Sequence, residues 1–436
     1  MMIALSKKLA LGSCALALMA PAALAQPAPV PAALAPTTPA AAGIAAFYQR
    51  WPHRVWFKTG ADNPALAQMI AILERAPFDG FVEGPQLAAQ VRDAQARARS
   101  GHPNDLDAAD RIISAAWVAY VQHMKQPTPG MVYVYQVLAP QASRPDQILL
   151  TAANSPSLSS YLSYASNPNP LYAQLRDAAV AEASASGRTV PEARLVANLD
   201  RLRSIPANGK FMVVDSGTQL LTMFENGRPV DAMKIVVGKQ EYPTPMIASV
   251  MYYIVYNPYW NAPDHLVRKI AQNYLTMGDG YLKSRGYQVM KDWTAASAIV
   301  PNDQVNWKAV ANGKEQIRIR QKPQDDNSMG DLKFPFPNNL DIFLHDTPHK
   351  EYFARSTRNL SNGCVRLEDA RRLGRWLLGA EPSAPGTDAE IQVQLPRGVP
   401  VYLTYTTAEV RDGKIAWRAD PYGWDPRGGT TKAAGR

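Results

Sequence analysis

The sequence predicts an α+β protein in which a helical N-terminal region precedes a β-rich domain with a helical and loop-like insertion. Amphipathic helical periodicity dominates residues 46–205. Runs of β-branched and aromatic residues typical of strands dominate residues 206–425, and helical and loop-like sequence interrupts them between Ala262 and Lys314. A long insertion within a sheet is often a lid or a substrate-facing loop, so we expect the insertion to cover a cleft.

The first 25 residues have the pattern of a cleavable secretory signal peptide. A basic pair at Lys7 and Lys8 precedes an apolar run, and Ala23-Leu24-Ala25 offers a small-residue cleavage site. Residues 26–45 are mostly Ala, Pro and Thr, which predicts an exposed linker without a core of its own. No later stretch reaches the roughly 18–20 continuous apolar residues that a membrane span needs. We therefore expect an exported protein without a membrane span.

Helices are predicted where apolar residues recur at helical spacing. The clearest is Pro64 to Arg75, where Asn63 is placed to cap the helix and Pro64 suits its first turn. The others, in chain order, are Pro85–Ser100, Asp105–Gln122, Leu171–Ser184 and Pro191–Ile205.

Strands are predicted from Lys210 onward, where the apolar period shortens. Glu225-Asn226-Gly227 supplies a turn between the second and third strands. The strands, in chain order, are Phe211–Asp215, Gln219–Phe224, Ala232–Val237, Val250–Tyr256, Ile317–Gln321, Asp341–His345 and Val399–Tyr405. Residues 426–436 are predicted to be a flexible tail.

The charge of the chain limits its partners. The formal net charge of +9 falls to about +7 without the signal peptide, which suits either solubility alone or attraction to an anionic envelope polymer. A nucleic-acid partner is not expected, because the chain has neither a dense Lys/Arg run nor a recognisable binding motif.

One cysteine remains after removal of the signal peptide, and it lies in Ser361-Asn362-Gly363-Cys364-Val365-Arg366. An oxidising compartment pairs or oxidises free thiols, so a retained thiol there indicates a chemical role. Cysteine attacks as the thiolate and needs a nearby base. His345, which ends a short apolar strand, is the candidate base, and His349, in a polar loop, is the competing one. The alternative is a buried cysteine without function, but the polar residues around Cys364 indicate a turn.

The neighbours of the cysteine suit the same chemistry. Gly363 allows close backbone approach, so the amides of Gly363 and Cys364 are candidate donors for an oxyanion. Arg366 shares a face with Cys364 if the segment is extended, where it either binds a carboxylate or phosphate or braces the loop. One cysteine and scattered histidines match no zinc-ligand spacing, so we expect neither a metal nor another cofactor.

His345 and the 361–366 segment together resemble the signature of YkuD-like L,D-transpeptidases, the cysteine enzymes that cross-link bacterial peptidoglycan. Further segments resemble the large periplasmic members of Gram-negative bacteria. These segments are Tyr242-Pro243-Thr244-Pro245, residues 256–263, residues 319–323, residues 333–338 and residues 400–405. The resemblance covers residues 196–425, and a weaker one at residues 106–120 is to the scaffold domain of those enzymes.

The resemblance implies a mechanism. Cys364 would attack the carbonyl between the third residue of a tetrapeptide stem, commonly meso-diaminopimelate, and the terminal D-Ala. D-Ala leaves, and an amine of a neighbouring stem resolves the thioester to give a 3–3 cross-link. His345 would be base and then acid, oriented by the backbone carbonyl of Asp346, with the Gly363 and Cys364 amides at the oxyanion. The insertion, at about 264–330, would be the capping subdomain over the cleft, and Phe343 would line the pocket.

The remaining residues of the signature are implied to face the substrate, namely Ser361, Asn362 and Arg366. The resemblance also implies a periplasmic location, peptidoglycan stem peptides as donor and acceptor, and carbapenems as inhibitors. Asn362 stands where the common motif has histidine, which removes a rival base. The sequence has no room near residues 184–194 for the small peptidoglycan-binding domain that large members often carry.

Three alternatives stay open at this point. Water in place of the acceptor amine would make the protein an L,D-carboxypeptidase, and a protein lysine would make it a ligase of lipoproteins to the wall. A non-catalytic peptidoglycan-binding scaffold is the third. The intact set of His345, Gly363, Cys364 and Arg366 argues against the last.

Overall fold

The computed structural model describes residues 39–58, 63–294 and 297–426. The predicted signal peptide, residues 26–38 of the predicted linker and residues 427–436 of the predicted tail lie outside the described residues. Within the described ranges, no helix has both the length and the apolar character needed to cross a bilayer.

Eight helices of the described residues form the N-terminal region. Their bounds are α1 Pro39–Arg50, α2 Pro64–Arg75, α3 Gly84–Ala98, α4 Pro103–Met124, α5 Pro145–Asn154, α6 Leu158–Ser166, α7 Pro170–Ala185 and α8 Ala193–Arg203. The predicted cap of α2 is present, because Asn63 Oδ1 accepts the Ala65 N–H at 2.9 Å. The apolar faces of these helices pack around a shared core that includes Trp56 and Trp117, both 0% exposed.

Sixteen strands and four more helices lie among the described residues. The strands are β1 Val132–Tyr133, β2 Lys210–Asp215, β3 Leu220–Glu225, β4 Arg228–Gly238, β5 Ile247–Tyr256, β6 Trp260–Asn261, β7 Tyr287–Met290, β8 Ile299–Val300, β9 Arg318–Gln321, β10 Leu332–Pro335, β11 Phe343–His345, β12 Asn359–Ser361, β13 Val365–Leu367, β14 Ile391–Thr404, β15 Ala408–Arg411 and β16 Lys414–Trp417. The helices are α9 Asp264–Met277, α10 Asp279–Ser284, α11 Trp307–Ala311 and α12 Ala370–Leu378.

The main sheet closes on itself. Its strand order is β1-β5-β10-β11-β13-β4-β3-β2-β14, and β14 also pairs with β5. The enclosed core contains alternate residues of these strands, such as Met212, Ile254 and Leu344, together with the buried side of α12. Because strand side chains alternate between the two faces, the neighbours of a core residue in β11 point out of this core.

The insertion between β5 and β10 is a small unit with a core of its own. It contains α9, α10 and α11 and a second sheet in the order β6-β9-β7-β8. Ala271, Trp307 and Ile319 are among its buried residues. The structure therefore confirms the predicted α+β class, with a helical N-terminal region and a β-rich domain that carries a helical and loop-like insertion.

The predicted linker extends too far. Residues 39–45 belong to α1, although their Ala-rich composition predicts an exposed spacer. Ile44 and Phe47 give the helix an apolar side that is buried in the N-terminal core, at 9% and 4% exposure. Burial of this side against the rest of the N-terminal region stabilises a helix that composition alone does not predict.

The C-terminal segment, residues 405–426, packs against the helical region. Asp425 accepts hydrogen bonds from two arginines of α8, with 2.7 Å from Arg194 Nε to Oδ2 and 2.7 Å from Arg201 Nη1 to Oδ1. The side chains of Arg201 and Asp425 are 7% and 6% exposed, so this ion pair is largely shielded from water. Tyr405 and Tyr422 belong to the same buried cluster as the N-terminal helices. The segment therefore joins the helical region to the main sheet.

Candidate active site

A cleft of about 720 Å³ lies between the main sheet and the insertion. Its walls come from both units. The lining residues of the insertion and its entrance are Tyr259, Trp260, Asn261, Ala262, Pro263, Asp264, Leu266, Trp293, Ser328 and Met329, and those of the sheet and its loops are Lys333, Leu340, Asp341, Ile342, Phe343, His345, Ser361, Asn362, Cys364 and Arg366. The candidate nucleophile and the candidate base therefore face the same cleft.

The strand register brings three basic side chains into one row. Lys333 pairs with His345 across the antiparallel β10–β11 ladder, and His345 pairs with Arg366 across the parallel β11–β13 ladder. Paired residues share a face of the sheet, and all three line the cleft. The adjacent pair, Leu344 and Val365, points into the sheet core, and both residues are 0% exposed.

His345 is buried and held by its neighbour. Its Nδ1 lies 2.5 Å from the backbone carbonyl oxygen of Asp346, the contact that the family resemblance implies. Because a carbonyl only accepts, Nδ1 carries the proton of the neutral ring and Nε2 is the basic nitrogen. Burial, followed by the charges of Arg366 and Lys333, lowers the pKa of His345 to about 3. The imidazole is therefore neutral at neutral pH and able to accept a proton.

Cys364 is half-buried, and its thiol is protonated at neutral pH. The Sγ lies 3.5 Å from the backbone carbonyl oxygen of Asp341, to which the thiol donates. Burial raises the pKa of Cys364 to about 11, although a hydrogen bond with the Phe343 backbone and the charges of Lys333 and Arg366 act to lower it. Cys364 and His345 thus line the cleft as a neutral thiol and a neutral imidazole, and they do not form a thiolate–imidazolium ion pair at rest.

The turn before Cys364 depends on Gly363. This residue has φ +114°, in the left-handed region that favours glycine, and a Cβ there would lie 3.1 Å from Ile342 Cδ1. Ser361 Oγ closes the turn by donating to the Cys364 carbonyl oxygen at 2.5 Å and accepting the Gly363 N–H at 3.2 Å. The expectation that the Gly363 amide faces an oxyanion therefore does not fit this geometry, since that amide is bonded to Ser361. The Cys364 amide is the remaining candidate donor.

Two residues outside the predicted site hold this turn from behind. Thr244, which is 1% exposed, donates from Oγ1 to the Gly363 carbonyl oxygen at 2.8 Å and accepts the Gly238 N–H at 2.9 Å. Tyr422 donates from its hydroxyl to the Gly238 carbonyl oxygen at 2.7 Å and accepts the Thr244 N–H at 3.3 Å. The sequence singles out the segment Tyr242–Pro245 but gives no sign of the contact between Tyr422 and Thr244.

A second loop shapes the other side of the thiol. Asn338 Oδ1 accepts the backbone N–H groups of Leu340 and Ile342 at 3.0 and 3.1 Å, and Nδ2 donates to the carbonyl oxygen of Ile342 at 2.8 Å. Within this loop Asp341 has φ +53°, which directs its carbonyl oxygen toward Cys364. The side chain of Asn338 therefore fixes the backbone group that orients the resting thiol.

Of the other predicted residues, three lie in or beside the cleft and His349 does not. Asn362 and Ser361 line the cleft, and Phe343 lies beneath Lys333, whose Nζ is 4.4 Å from the ring centroid. His349 does not line the cleft, is exposed, and has its Nδ1 3.1 Å from Glu351 Oε1, so its position does not suit the base.

Arg366 is half-buried beside His345. Its guanidinium carbon lies 5.6 Å from the Tyr352 ring centroid, and its buried Nε has no hydrogen-bond partner among the described residues. Among the described residues, no group of three or more His, Cys, Asp or Glu side chains is arranged to hold a metal ion. The arrangement suits covalent chemistry by a thiol and its base on an anionic substrate.

Comparisons with known proteins agree with this arrangement. Residues 209–403 match the family model of the L,D-transpeptidase catalytic domain, YkuD, and residues 42–178 match that of a scaffold domain. A curated protein of Haemophilus influenzae, named "Putative L,D-transpeptidase", is 26% identical over 375 residues, which span 84% of this chain and 75% of that protein. The chain therefore carries a YkuD L,D-transpeptidase catalytic domain together with a scaffold domain.

Two solved structures are also similar to parts of the chain. An L,D-transpeptidase from Mycobacterium smegmatis is 12% identical, with a TM-score of 0.23 and a match over 46% of this chain and 60% of that one. The Ldtfm–avibactam carbamoyl enzyme is 13% identical, with a TM-score of 0.20 and a match over 46% of this chain and 50% of that one. At these scores neither structure adds to the argument.

Proposed function

We propose that this protein is a periplasmic L,D-transpeptidase that forms 3–3 cross-links between peptidoglycan stem peptides. The observation that carries the proposal is the joint position of Cys364 and His345 in one cleft, on a catalytic domain of this family. The predicted signal peptide supports export, and the cations Lys333 and Arg366 in the cleft wall suit the carboxylates of wall stems. Cys364 is the nucleophile, His345 the base and then the acid, and Asp346 orients His345 through its carbonyl oxygen.

The first half-reaction acylates Cys364. Sγ attacks the carbonyl carbon that joins the third stem residue to D-Ala, while Nε2 of His345 takes the thiol proton. The carbonyl electron pair moves to oxygen, where the Cys364 N–H stabilises the negative charge. When the tetrahedral intermediate collapses, the C–N bond breaks and the amine of D-Ala takes the proton from Nε2. The products are free D-Ala and a thioester on Cys364.

The second half-reaction transfers the acyl group. An amine of a neighbouring stem attacks the thioester carbonyl and gives a proton to Nε2 of His345, and the C–S bond then breaks as the thiol regains that proton. Water attacking in place of the amine would release a tripeptide, and a protein lysine would produce a protein tethered to the wall. The acceptor is therefore the part of the reaction that the experiment must resolve.

The experiment incubates residues 26–436, as wild type and as Cys364→Ala, with disaccharide-tetrapeptide and follows the products by mass spectrometry. We expect loss of D-Ala together with a cross-linked dimer in the wild type only. Tripeptide monomer without dimer would assign the carboxypeptidase activity instead. No reaction of the wild type, with wall binding equal in both proteins, would overturn the proposal in favour of a non-catalytic scaffold.

Carbapenems provide a second test of the same nucleophile. Attack of Sγ on the lactam carbonyl breaks the ring C–N bond, and the whole drug stays on the protein. Intact mass spectrometry should show this added mass on the wild type and not on Cys364→Ala. An unmodified wild-type mass after prolonged incubation would contradict the assignment of Cys364 as an accessible nucleophile.

A further inference from the structure

We infer that Lys333 and Arg366 form a single carboxylate subsite that spans His345, and that a free carboxylate of the stem peptide occupies it. This inference rests on the proposed function for the identity of the occupant. Lys333 does not belong to the predicted set of site residues, and its position follows from strand pairing alone.

The geometry puts the two cations on opposite sides of the base. Lys333 on β10 and Arg366 on β13 each pair with His345 on β11, so the three side chains cross the cleft floor in one row. Adjacent strands are roughly 4.7–4.9 Å apart, which separates the outer two backbones by about 10 Å. Both basic side chains are long enough at that separation to reach one carboxylate held above the ring between them.

Neither cation forms an ion pair among the described residues. No carboxylate there lies within 4.0 Å of Lys333 or Arg366, in contrast to arginines such as Arg201 and Arg375. Lys333 Nζ rests over the Phe343 ring, and Arg366 makes a hydrogen bond with the Tyr352 side chain while its buried Nε lacks a partner. Two cations without a carboxylate partner in the wall of a cleft favour an anionic ligand that pairs with both.

The acidic side chains of the cleft lie elsewhere. Asp264 begins α9 in the insertion, and Asp341 belongs to the loop beside Cys364, where its charge raises the pKa of the thiol. The groups that face His345 from the neighbouring strands are Lys333 and Arg366, and Asp346 contacts it through the backbone. The surroundings of the base are thus positive, and the same two cations outweigh Asp341 at the thiol.

Its position beside His345 gives the bound carboxylate a second effect. The two positive charges oppose the protonation of His345, which the proposed mechanism requires during attack by Cys364. A carboxylate bound between them compensates that repulsion and makes Nε2 a stronger base at the moment when substrate is present. A substrate that carries the carboxylate therefore activates the base, and a substrate without it does not.

The test uses alkylation of Cys364, which does not depend on the transpeptidase activity. Iodoacetate and iodoacetamide react with thiolates by the same displacement of iodide, but only iodoacetate carries a carboxylate. We measure the ratio of their two rates on the full protein and divide it by the same ratio for free cysteine. The wild type should favour iodoacetate by about tenfold, the preference that one unit of differential interaction provides.

Matched variants assign that preference. Lys333→Met should remove most of the iodoacetate preference, while Lys333→Arg should retain it because the charge remains. Lys308→Met, on the exposed side of α11 and outside the cleft, changes the net charge equally and should behave as wild type. An unchanged rate ratio in Lys333→Met, with the wild-type unfolding curve, would overturn the subsite.

A substrate comparison tests the identity of the occupant. Tetrapeptides with diaminopimelate or lysine at the third position differ by one side-chain carboxylate, and D-Ala release reports their kcat/KM. We expect the diaminopimelate preference of the wild type to fall in Lys333→Met and to survive in Lys333→Arg. No D-Ala release with either peptide, despite an iodoacetate preference, would reject the proposed function and leave the anion subsite standing. Equal preference in all variants would reject a stem carboxylate as the occupant.

Discussion

Replacement of Thr244 by valine tests whether the support behind Gly363 controls the nucleophile. Valine has nearly the shape of threonine, so the packing changes little while the hydroxyl is lost. That hydroxyl donates to the Gly363 carbonyl at 2.8 Å and accepts the Gly238 amide at 2.9 Å, in a site where Thr244 is 1% exposed. Each of these two buried backbone groups left without a partner costs about 1–3 kcal/mol, so we expect a loss of about 2–6 kcal/mol in the free energy of unfolding.

The same change should slow the chemistry. Gly363 directly precedes Cys364, and a displacement of about 1 Å at a reacting group costs on the order of 10²-fold in rate. Urea unfolding measures the stability, and the rate of carbapenem acylation below the unfolding transition measures the reactivity of the thiol. Thr244→Ser, which keeps the hydroxyl, is the control and should retain most of both. A valine variant that acylates as fast as wild type would refute the view that this hydrogen bond positions the nucleophile.

Three further predictions concern the base, the thiol and the turn. Because burial raises the pKa of Cys364 to about 11, alkylation by iodoacetamide should accelerate about tenfold per pH unit between pH 7 and 10, and a plateau near pH 8 would contradict this. The pKa of His345 is about 3 when the protein is folded and near 6.5 when it is unfolded, so the unfolded state binds more protons between these values. The free energy of unfolding should therefore fall by up to about 1.4 kcal/mol per pH unit from pH 6.5 toward 3. Urea titrations of His345→Gln should show a shallower fall than wild type, and equal slopes would count against the assignment. Gly363→Ala should cost about 1–3 kcal/mol in backbone strain and should slow acylation. The control Gly280→Ala has no atom within 4 Å of the new Cβ, so it should change neither stability nor acylation to that extent. Equal behaviour of the two variants would show that the turn tolerates a side chain.

Local signals account for the parts of the fold that the sequence predicts well. The helix from Pro64 to Arg75 has its cap at Asn63 and its proline in the first turn, so both ends of the prediction match α2. The last strand is different, because β14 begins at Ile391, eight residues before the predicted start at Val399. Its first half is stabilised by pairing with β5, and no residue near 391 reports on a partner more than 130 positions away.

The site residues likewise fall into those that local sequence signals predict and those that only the fold brings to the site. Cys364 and His345 are found from sequence because a lone thiol in a polar turn and a histidine after an apolar strand are chemically distinctive. Lys333 is not found, since its place beside His345 depends on the register of β10 against β11. Thr244 and Tyr422 act through backbone groups of the turn, and such contacts leave no pattern in composition or spacing.

The support of the nucleophile by Tyr422 has a consequence for where the catalytic unit ends. The matched catalytic family model ends at residue 403, yet Tyr422 bonds to Gly238 and Thr244 behind the turn of Cys364. A fragment cut at the end of the matched region would keep His345 and Cys364 but would lose the hydroxyl that supports this turn. The functional boundary of the catalytic unit therefore lies beyond residue 403, in the same C-terminal segment that contacts α8.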